Sequence, residues 1–453
     1  MKKLIETIRN IFKIEDLRKR IIYTVGLIAI YRLGSYIVLP GIDPSQLMAL
    51  KSQSSTGLLG LLNMFSGGAF ANASIFALGI MPYISASIVV QLLGMAIPYF
   101  QKLQKEGESG RRKINQITRY LTIVILLFQS PSYIANLISK IPAEGIYPFD
   151  PNITTHSIFS FFGITSILIL TAGSMFVMWL GERITDKGIG NGISLIIMIG
   201  IIARLPFALI AEFFSRMEEQ GGGLVVFVVE LAVLFGVILF CILLVQGTRR
   251  IPVQYAKRIV GNKQYGGVRQ YIPLKVNAAG VMPIIFAQAI MFLPLTFANF
   301  SGADSMSGFV RAFSNFNGFW YNFTFFMLNI IFTYFYTAIT INPNQMAEDM
   351  KKNGGFIPGV KPGRKTAEFI EAVMSRITLP GALFIAFVAI MPALVRLVGV
   401  NSQFAQFYGG TSLLILVGVL LDTLNQVESH LLMRHYDGLT KSGRLKGRSY
   451  SGM

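Results

Sequence analysis

The chain has 453 residues, a mean hydropathy of +0.57, 53% apolar residues and only 14% charged ones. Soluble proteins of this size carry about 25% charged residues, so the composition excludes a soluble enzyme and a disordered chain and implies a polytopic helical membrane protein. Cys241 is the one cysteine and His156, His430 and His435 the three histidines, so neither an intrachain disulfide nor a metal or haem cofactor is expected, yet the net charge is +18.

In chain order, residues 1–20 place Leu4, Ile5, Ile8, Ile11, Phe12 and Leu17 at helical spacing, with Lys2, Lys3, Arg9 and Lys13 between them. The pattern is not that of a cleavable signal peptide; it reads as a basic amphipathic helix on the inner membrane surface or as a polar lead-in. Apolar runs then predict ten spans near 21–39, 75–97, 120–138, 157–180, 191–210, 223–246, 276–298, 319–341, 377–398 and 411–433. Between the first two lies 57–73, apolar but too short to cross and interrupted by Asn63, Ser66, Gly67 and Gly68. Irregular backbone at membrane depth must be buried in protein or line a cavity, so this stretch reads as a re-entrant segment or as an external loop folded over the spans.

Of the 40 Lys and Arg, 33 fall in 1–20, 98–119, 181–190, 249–275, 343–376 and 434–453. The other seven are Arg32, Lys51, Lys140, Arg204, Arg216, Arg311 and Arg396. By the positive-inside rule both termini are expected in the cytoplasm, which requires an even number of spans.

Gly79-Ile-Met-Pro-Tyr-Ile-Ser-Ala86 in span 2 matches Gly280-Val-Met-Pro-Ile-Ile-Phe-Ala287 in span 7. Two halves of five spans each would enter the membrane from opposite faces, an inverted repeat whose working site lies at the junction of the halves. Pro82 and Pro283 are read as interrupting their helices. Arg32, Glu230 and Arg396 are placed near outer span ends, where their heads can reach the interface. Asp422, with Asn425 and Gln426 one turn on, is read as a structural hydrogen-bonding cluster. One deep carboxylate is thin support for an ion-coupled pump.

The chain shows no phosphate-binding Gly-x-x-x-x-Gly-Lys-[Ser/Thr] run, no His-Glu-x-x-His and no serine elbow, so no enzyme activity is expected. Gly188-Ile-Gly-Asn-Gly192 reads as a tight turn opening span 5. Segments 249–275 and 343–376 exceed what topology needs and carry Arg249, Arg250, Lys257, Arg258, Lys263, Arg269, Lys351, Lys352, Lys361, Arg364 and Lys365. Such loops meet anionic lipid, and they can also dock an acidic protein surface or an RNA backbone.

Several long stretches, in order, closely resemble the SecY family, the channel subunits of the Sec protein translocase. They are Asn63-Met-Phe-Ser-Gly-Gly68, Ala73–Ile88, Met178–Ser194, Pro273–Pro283, Tyr334–Ala338, Phe356–Gly363 and Gly409–Ile415. The resemblance implies an all-α polytopic membrane bundle: ten transmembrane helices in two inverted five-helix halves, 21–210 and 223–433, with a re-entrant plug at 57–71. It implies a pore ring of Ile80, Ile84, Ile193, Ile197, Ile285 and Ile415, and a plug that includes Asn63, Met64, Phe65, Ser66, Gly67 and Gly68. A lateral gate would include Ser85, Gln91, Asn277 and Gln288. Arg249, Arg250, Lys257, Arg258, Lys361 and Arg364 would dock a SecA motor or a ribosome, with contact to ribosomal RNA. Lys361 stands where the family usually has arginine, which keeps the charge but loses the planar fork.

The implied partners are the small membrane subunits SecE and SecG, SecA, the ribosome, unfolded preprotein with its signal peptide, and anionic lipid. The implied location is the bacterial cytoplasmic membrane. The alternative reading is a secondary transporter of a small solute, which is also built on inverted repeats.

Overall fold

The computed structural model describes residues 14–47, 60, 63–140, 160–218, 223–255, 258–260, 263–265, 269–288, 290–291 and 318–441. Outside the described residues lie the amphipathic stretch 1–13, residues 57–59, 61 and 62 of the expected plug, Lys257, the ends 157–159 and 292–298 of two expected spans, and residues 442–453 of the basic tail.

The helices are α1 Glu15–Gly34, α2 Met81–Ala96, α3 Pro98–Lys105, α4 Glu108–Lys140, α5 Phe161–Lys187, α6 Gly192–Met217, α7 Gly223–Gln246, α8 Phe319–Thr340, α9 Pro343–Lys352, α10 Arg364–Leu397, α11 Ser402–Ala405 and α12 Gly410–Lys441. A further helical stretch runs over 282–288. Among the described residues seven helical segments are long and apolar enough to cross a membrane, and eight when the α2–α3 pair, bent by 102°, is counted as one span. The stretch at 282–288 and α1, whose first turns are charged, stand at the places of the other two expected spans.

The elements differ from the expected spans where backbone chemistry intervenes. Span 2 is helical only from Met81; residues 66–80 run as turns, with Gly67, Gly68, Ala73 and Gly79 at positive φ. Pro98 opens α3 after the extended Ile97, because proline suits a first helical turn and pushes the residue before it out of the helical region. Span 5 continues past its expected end to Met217, and the helix carrying span 9 begins at Arg364.

The chain forms two compact units, Met1–Pro206 with Val419–Met453, and Phe207–Gly418. In the first unit, Leu39, Phe70, Ala73, Tyr133, Leu137 and Leu170 belong to one buried cluster. Ser160 caps α5 by accepting from Gly163 N at 3.1 Å, satisfying one of the first-turn amides. The Gly188–Gly192 turn closes on side chains: Gly192 N donates to Thr185 Oγ1 (2.9 Å) and Gly190 N to Gln426 Oε1 (3.0 Å). Gln426 Nε2 in turn donates to Asp422 Oδ2 at 3.3 Å, linking two of the three residues of the expected Asp422 cluster.

In the second unit, the two basic loops are not irregular. β1 Thr248–Tyr255, β2 Arg258–Val260, β3 Lys263–Tyr265 and β4 Arg269–Lys275 form two antiparallel pairs, and β5 Gly355–Phe356 joins β1 from the other loop, giving the order β4-β1-β5. Ile251 and Val253, at alternate positions on β1, point the same way and join Leu274, Met350, Ile357, Ile370 and Met374 in a separate buried cluster. Sequence periodicity missed these strands because basic residues and Pro252 interrupt the alternation.

Candidate functional site

The two Gly-x-Met-Pro repeats adopt the same local geometry. Gly79 and Gly280 both sit at positive φ, 54° and 64°, and a helix begins two residues later in each case. Pro82 and Pro283 therefore stand in first turns, where no intrahelical bond is lost; the expectation that they interrupt helices is corrected. Ile84 N donates to Ile80 O (3.1 Å) and Ile285 N to Val281 O (3.4 Å), so Ile84 and Ile285 occupy equivalent positions one turn inside their helices.

Of the isoleucines implied for the ring, Ile80, Ile84, Ile193 and Ile197 belong to the first unit, and Ile285 and Ile415 to the second. Ile80 is buried at the N-terminal boundary of α2, while Ile84 and Ile193 are half-buried. Ile193 and Ile197 lie one turn apart at the start of α6, held close to α5 because Gly181 and Gly192 leave no room for a Cβ between the helices. Ile415, in α12, is buried.

Of the residues implied for the gate, Ser85 and Gln91 lie on α2 in the first unit, and Asn277 and Gln288 in the second. Gln91 Nε2 reaches Ser87 Oγ at 3.5 Å, whereas the buried Gln91 Oε1 and Asn277 Oδ1 find no hydrogen-bond partner among the described residues.

The segment 63–73 is buried, with Asn63 and Ala73 at 0% exposure and Met64, Phe65 and Ser66 close to it. It is compact around Asn63: Asn63 O accepts from Gly68 N (2.8 Å) and Ser66 Oγ (3.2 Å), and Asn63 Oδ1 accepts from Ala71 N (3.0 Å). Three carbonyls of this irregular backbone accept from neighbouring helices. Tyr31 OH donates to Ser66 O (3.1 Å), Arg32 Nη1 to Gly67 O (2.9 Å) and Tyr133 OH to Phe70 O (2.9 Å).

Gly67 is required here: its φ is 65° and a Cβ would lie 2.7 Å from Arg32 Nη1 and 2.9 Å from the Cα of Gly200. The Arg32 head is thus engaged with protein, where the sequence reading sent it to the interface. Tyr31 and Tyr133 were missed; the signal available was a Tyr-Arg pair inside an otherwise apolar run.

Glu230 is likewise corrected. It is buried, and its Oε1 pairs with Arg216 Nη2 at 2.5 Å, while Arg216 Nε donates to the fully buried Glu212 Oε1 at 2.9 Å. Glu212 Oε2 accepts from Asn401 N (2.9 Å), Tyr408 OH donates to Glu230 O (2.8 Å), and Arg396 Nη2 reaches Ser402 O at 3.4 Å. Glu212 carries no signal in the sequence because it lies past residue 210, where the apolar run predicts the end of the span. This network ties α6 and α7 to residues 401–408.

Apart from Lys257, which lies outside the described residues, the basic residues implied for docking lie on the second unit's two small sheets and at the adjoining helix start. Arg249 and Arg250 are exposed on β1, and Arg258 lies on β2. Lys361 and Arg364 are exposed beside Gly363, whose φ of 97° turns the chain into α10. Thr366 Oγ1 donates to Lys361 O at 3.0 Å and Arg364 Nε lies 3.4 Å from Glu368, so the backbone here is anchored while the Lys361 head stays exposed. Among the described residues no cluster of His, Cys, Asp or Glu could hold a metal ion.

A family model described as SecY matches residues 74–424. The protein translocase subunit SecY of Streptomyces scabiei is 44% identical over 444 residues, 95% of this chain and 98% of the relative. That of Mycobacterium tuberculosis strain H37Rv is 43% identical over 439 residues, 94% and 97% of the two chains. Among solved structures, a protein-conducting channel aligns with TM-score 0.60 and 17% identity, and Sec61 of a canine ribosome-channel complex with TM-score 0.56 and 15% identity, each covering 91% of this chain and 92% of the other. Composition, helical fold and near full-length similarity agree: the chain is a multi-pass membrane protein that belongs to the SecY family.

Proposed function

We propose that this chain is the channel-forming subunit of a protein translocase, passing unfolded secretory polypeptide across the membrane and releasing signal sequences and transmembrane segments sideways into lipid. The observation that carries this reading is the near full-length match to chains named as translocase subunits. The twin glycine-started helices with Ile84 and Ile285 at equivalent places support it.

In this reading Ile80, Ile84, Ile193, Ile197, Ile285 and Ile415 form the constriction. Aliphatic walls offer an ion no hydrogen bond to replace its hydration, so ions are excluded, while an extended chain of any sequence meets nothing that grips it. Sorting follows from partition: each Leu or Ile near a helix centre favours the bilayer by about 0.3–0.6 kcal/mol, and each Asp, Lys or Arg opposes it by about 2.5–3.5 kcal/mol. Ser85, Gln91, Asn277 and Gln288 line the lateral exit, and 63–68 belong to the plug.

The basic loops dock the SecA motor or the ribosome, SecE and SecG are the companion subunits, and anionic lipid meets the remaining charge. The chain sits in the bacterial cytoplasmic membrane with both termini inside, the reading that the positive-inside rule supports. The test is crosslinking of a stalled secretory chain to residues 80–84 and 285. Adducts at these positions are expected; saturable uptake of a small solute without such adducts would establish the transporter alternative.

A further inference from the structure

Irregular backbone buried in a membrane protein must have its carbonyls satisfied by donors from elsewhere in the fold, since lipid supplies none. In segment 63–73 the three outside donors identified above are unequal. Ser66 O and Phe70 O also accept from Ala69 N (3.3 Å) and Ala73 N (3.2 Å), within the segment itself. Gly67 O takes its bond from Arg32 Nη1, a charged donor, and charge-assisted bonds are about twice as strong as neutral ones. The guanidinium is itself aimed: Nη2 donates to Tyr36 OH at 3.1 Å, and the Arg32 head lies over the Tyr36 ring at 5.3 Å. The left-handed Gly67 leaves the space that Arg32 fills.

We infer that Arg32, backed by Tyr31 and Tyr133, is a latch that holds the segment 63–70 in its buried position, and that opening the channel begins with the release of Gly67 O from Arg32. The inference rests on the proposed channel function. Arg32 acts on the segment and not on the passing polypeptide, so it is a positioning residue. Removing its donors shifts the balance between seated and displaced segment while leaving the path for substrate intact.

The experiment uses the full-length chain with its co-purifying subunits in planar bilayers, and reads resting ion conductance without substrate beside the thermal unfolding midpoint in detergent. Arg32→Gln is expected to raise resting conductance about tenfold, the factor that corresponds to about 1.4 kcal/mol. Tyr31→Phe and Tyr133→Phe, which keep their rings, are expected to raise it two- to threefold with an unchanged midpoint.

A chain lacking 57–71 serves as the reference for an unseated plug. Parental conductance in all three variants, with the deletion chain leaking, overturns the latch and leaves the channel reading intact. Parental conductance in the deletion chain as well overturns the channel reading itself. Should Arg32→Gln fail to fold, the two tyrosine variants decide alone: parental conductance in both overturns the latch.

Discussion

Gln254 on β1 pairs with Phe356 on β5 in antiparallel register, which joins the two basic loops, a hundred residues apart in the chain, into one sheet. The cluster beneath that sheet draws Ile251 and Val253 from one loop and Met350, Ile357 and Ile370 from the other. The exposed Arg249, Arg250 and Lys361 are therefore carried on a single small body with its own core.

Truncating that core should disturb both loops together. Ile357→Ala leaves a cavity in a position that is 3% exposed, at a cost of about 2–5 kcal/mol to the local fold. Limited proteolysis is expected to cut faster in both 249–275 and 343–376. Faster cutting in only one of them would show that the loops fold independently.

The surface charges should act on docking without acting on the fold. Charge reversal at Arg249, Arg250 and Lys361, all exposed, should slow motor-driven export of a precursor several-fold and steepen no unfolding transition, because rim charges govern association more than stability. Export at the parental rate in inverted vesicles would remove these residues from the docking surface.

If Ile84 and Ile285 line the proposed constriction, polar substitution at these two equivalent positions should breach it. Ile84→Asn with Ile285→Asn lowers the dehydration barrier for ions; a barrier reduced by about 1.4 kcal/mol raises conductance tenfold. Resting leak in planar bilayers is the measurement, and a conductance unchanged from the parent would show that these side chains do not line the path.

The buried Arg216–Glu212–Glu230 network should be costly to break and cheap to replace whole. Both Arg216 contacts lie within 3 Å and both carboxylates are buried, so Arg216→Ala leaves two buried acids and should cost about 3–5 kcal/mol. Arg216→Met combined with Glu212→Gln and Glu230→Gln removes every charge and is expected to recover most of that loss. Thermal denaturation in detergent distinguishes the two; equal midpoints for the single and triple variants would show that the loss does not come from stranded carboxylates.

Much of this molecule is legible without a structure, for reasons that are local. Hydrocarbon thickness fixes how long an apolar run must be, and the uneven placement of Lys and Arg marks alternate loops; neither depends on what packs against what. Gly79 and Gly280 announced the repeat because each begins a run with Met and Pro at the same offsets. The Gly188–Gly192 turn and the Asp422–Gln426 cluster were likewise read from neighbours in the chain.

What tertiary structure decided are the partnerships between distant residues. Glycine at 67 signals only an unusual turn until Arg32 is found in the space its missing Cβ leaves. Glu212 is an unremarked acid at a span end until Arg216 and Asn401 close around it. The β1–β5 pairing was hidden because strand pairing is a non-local bond whose two halves carry no shared local pattern. Hydropathy and spacing report what each segment does against solvent or lipid, while buried polar groups are satisfied by whichever donor the fold brings near, and that choice is made only when the chain is packed.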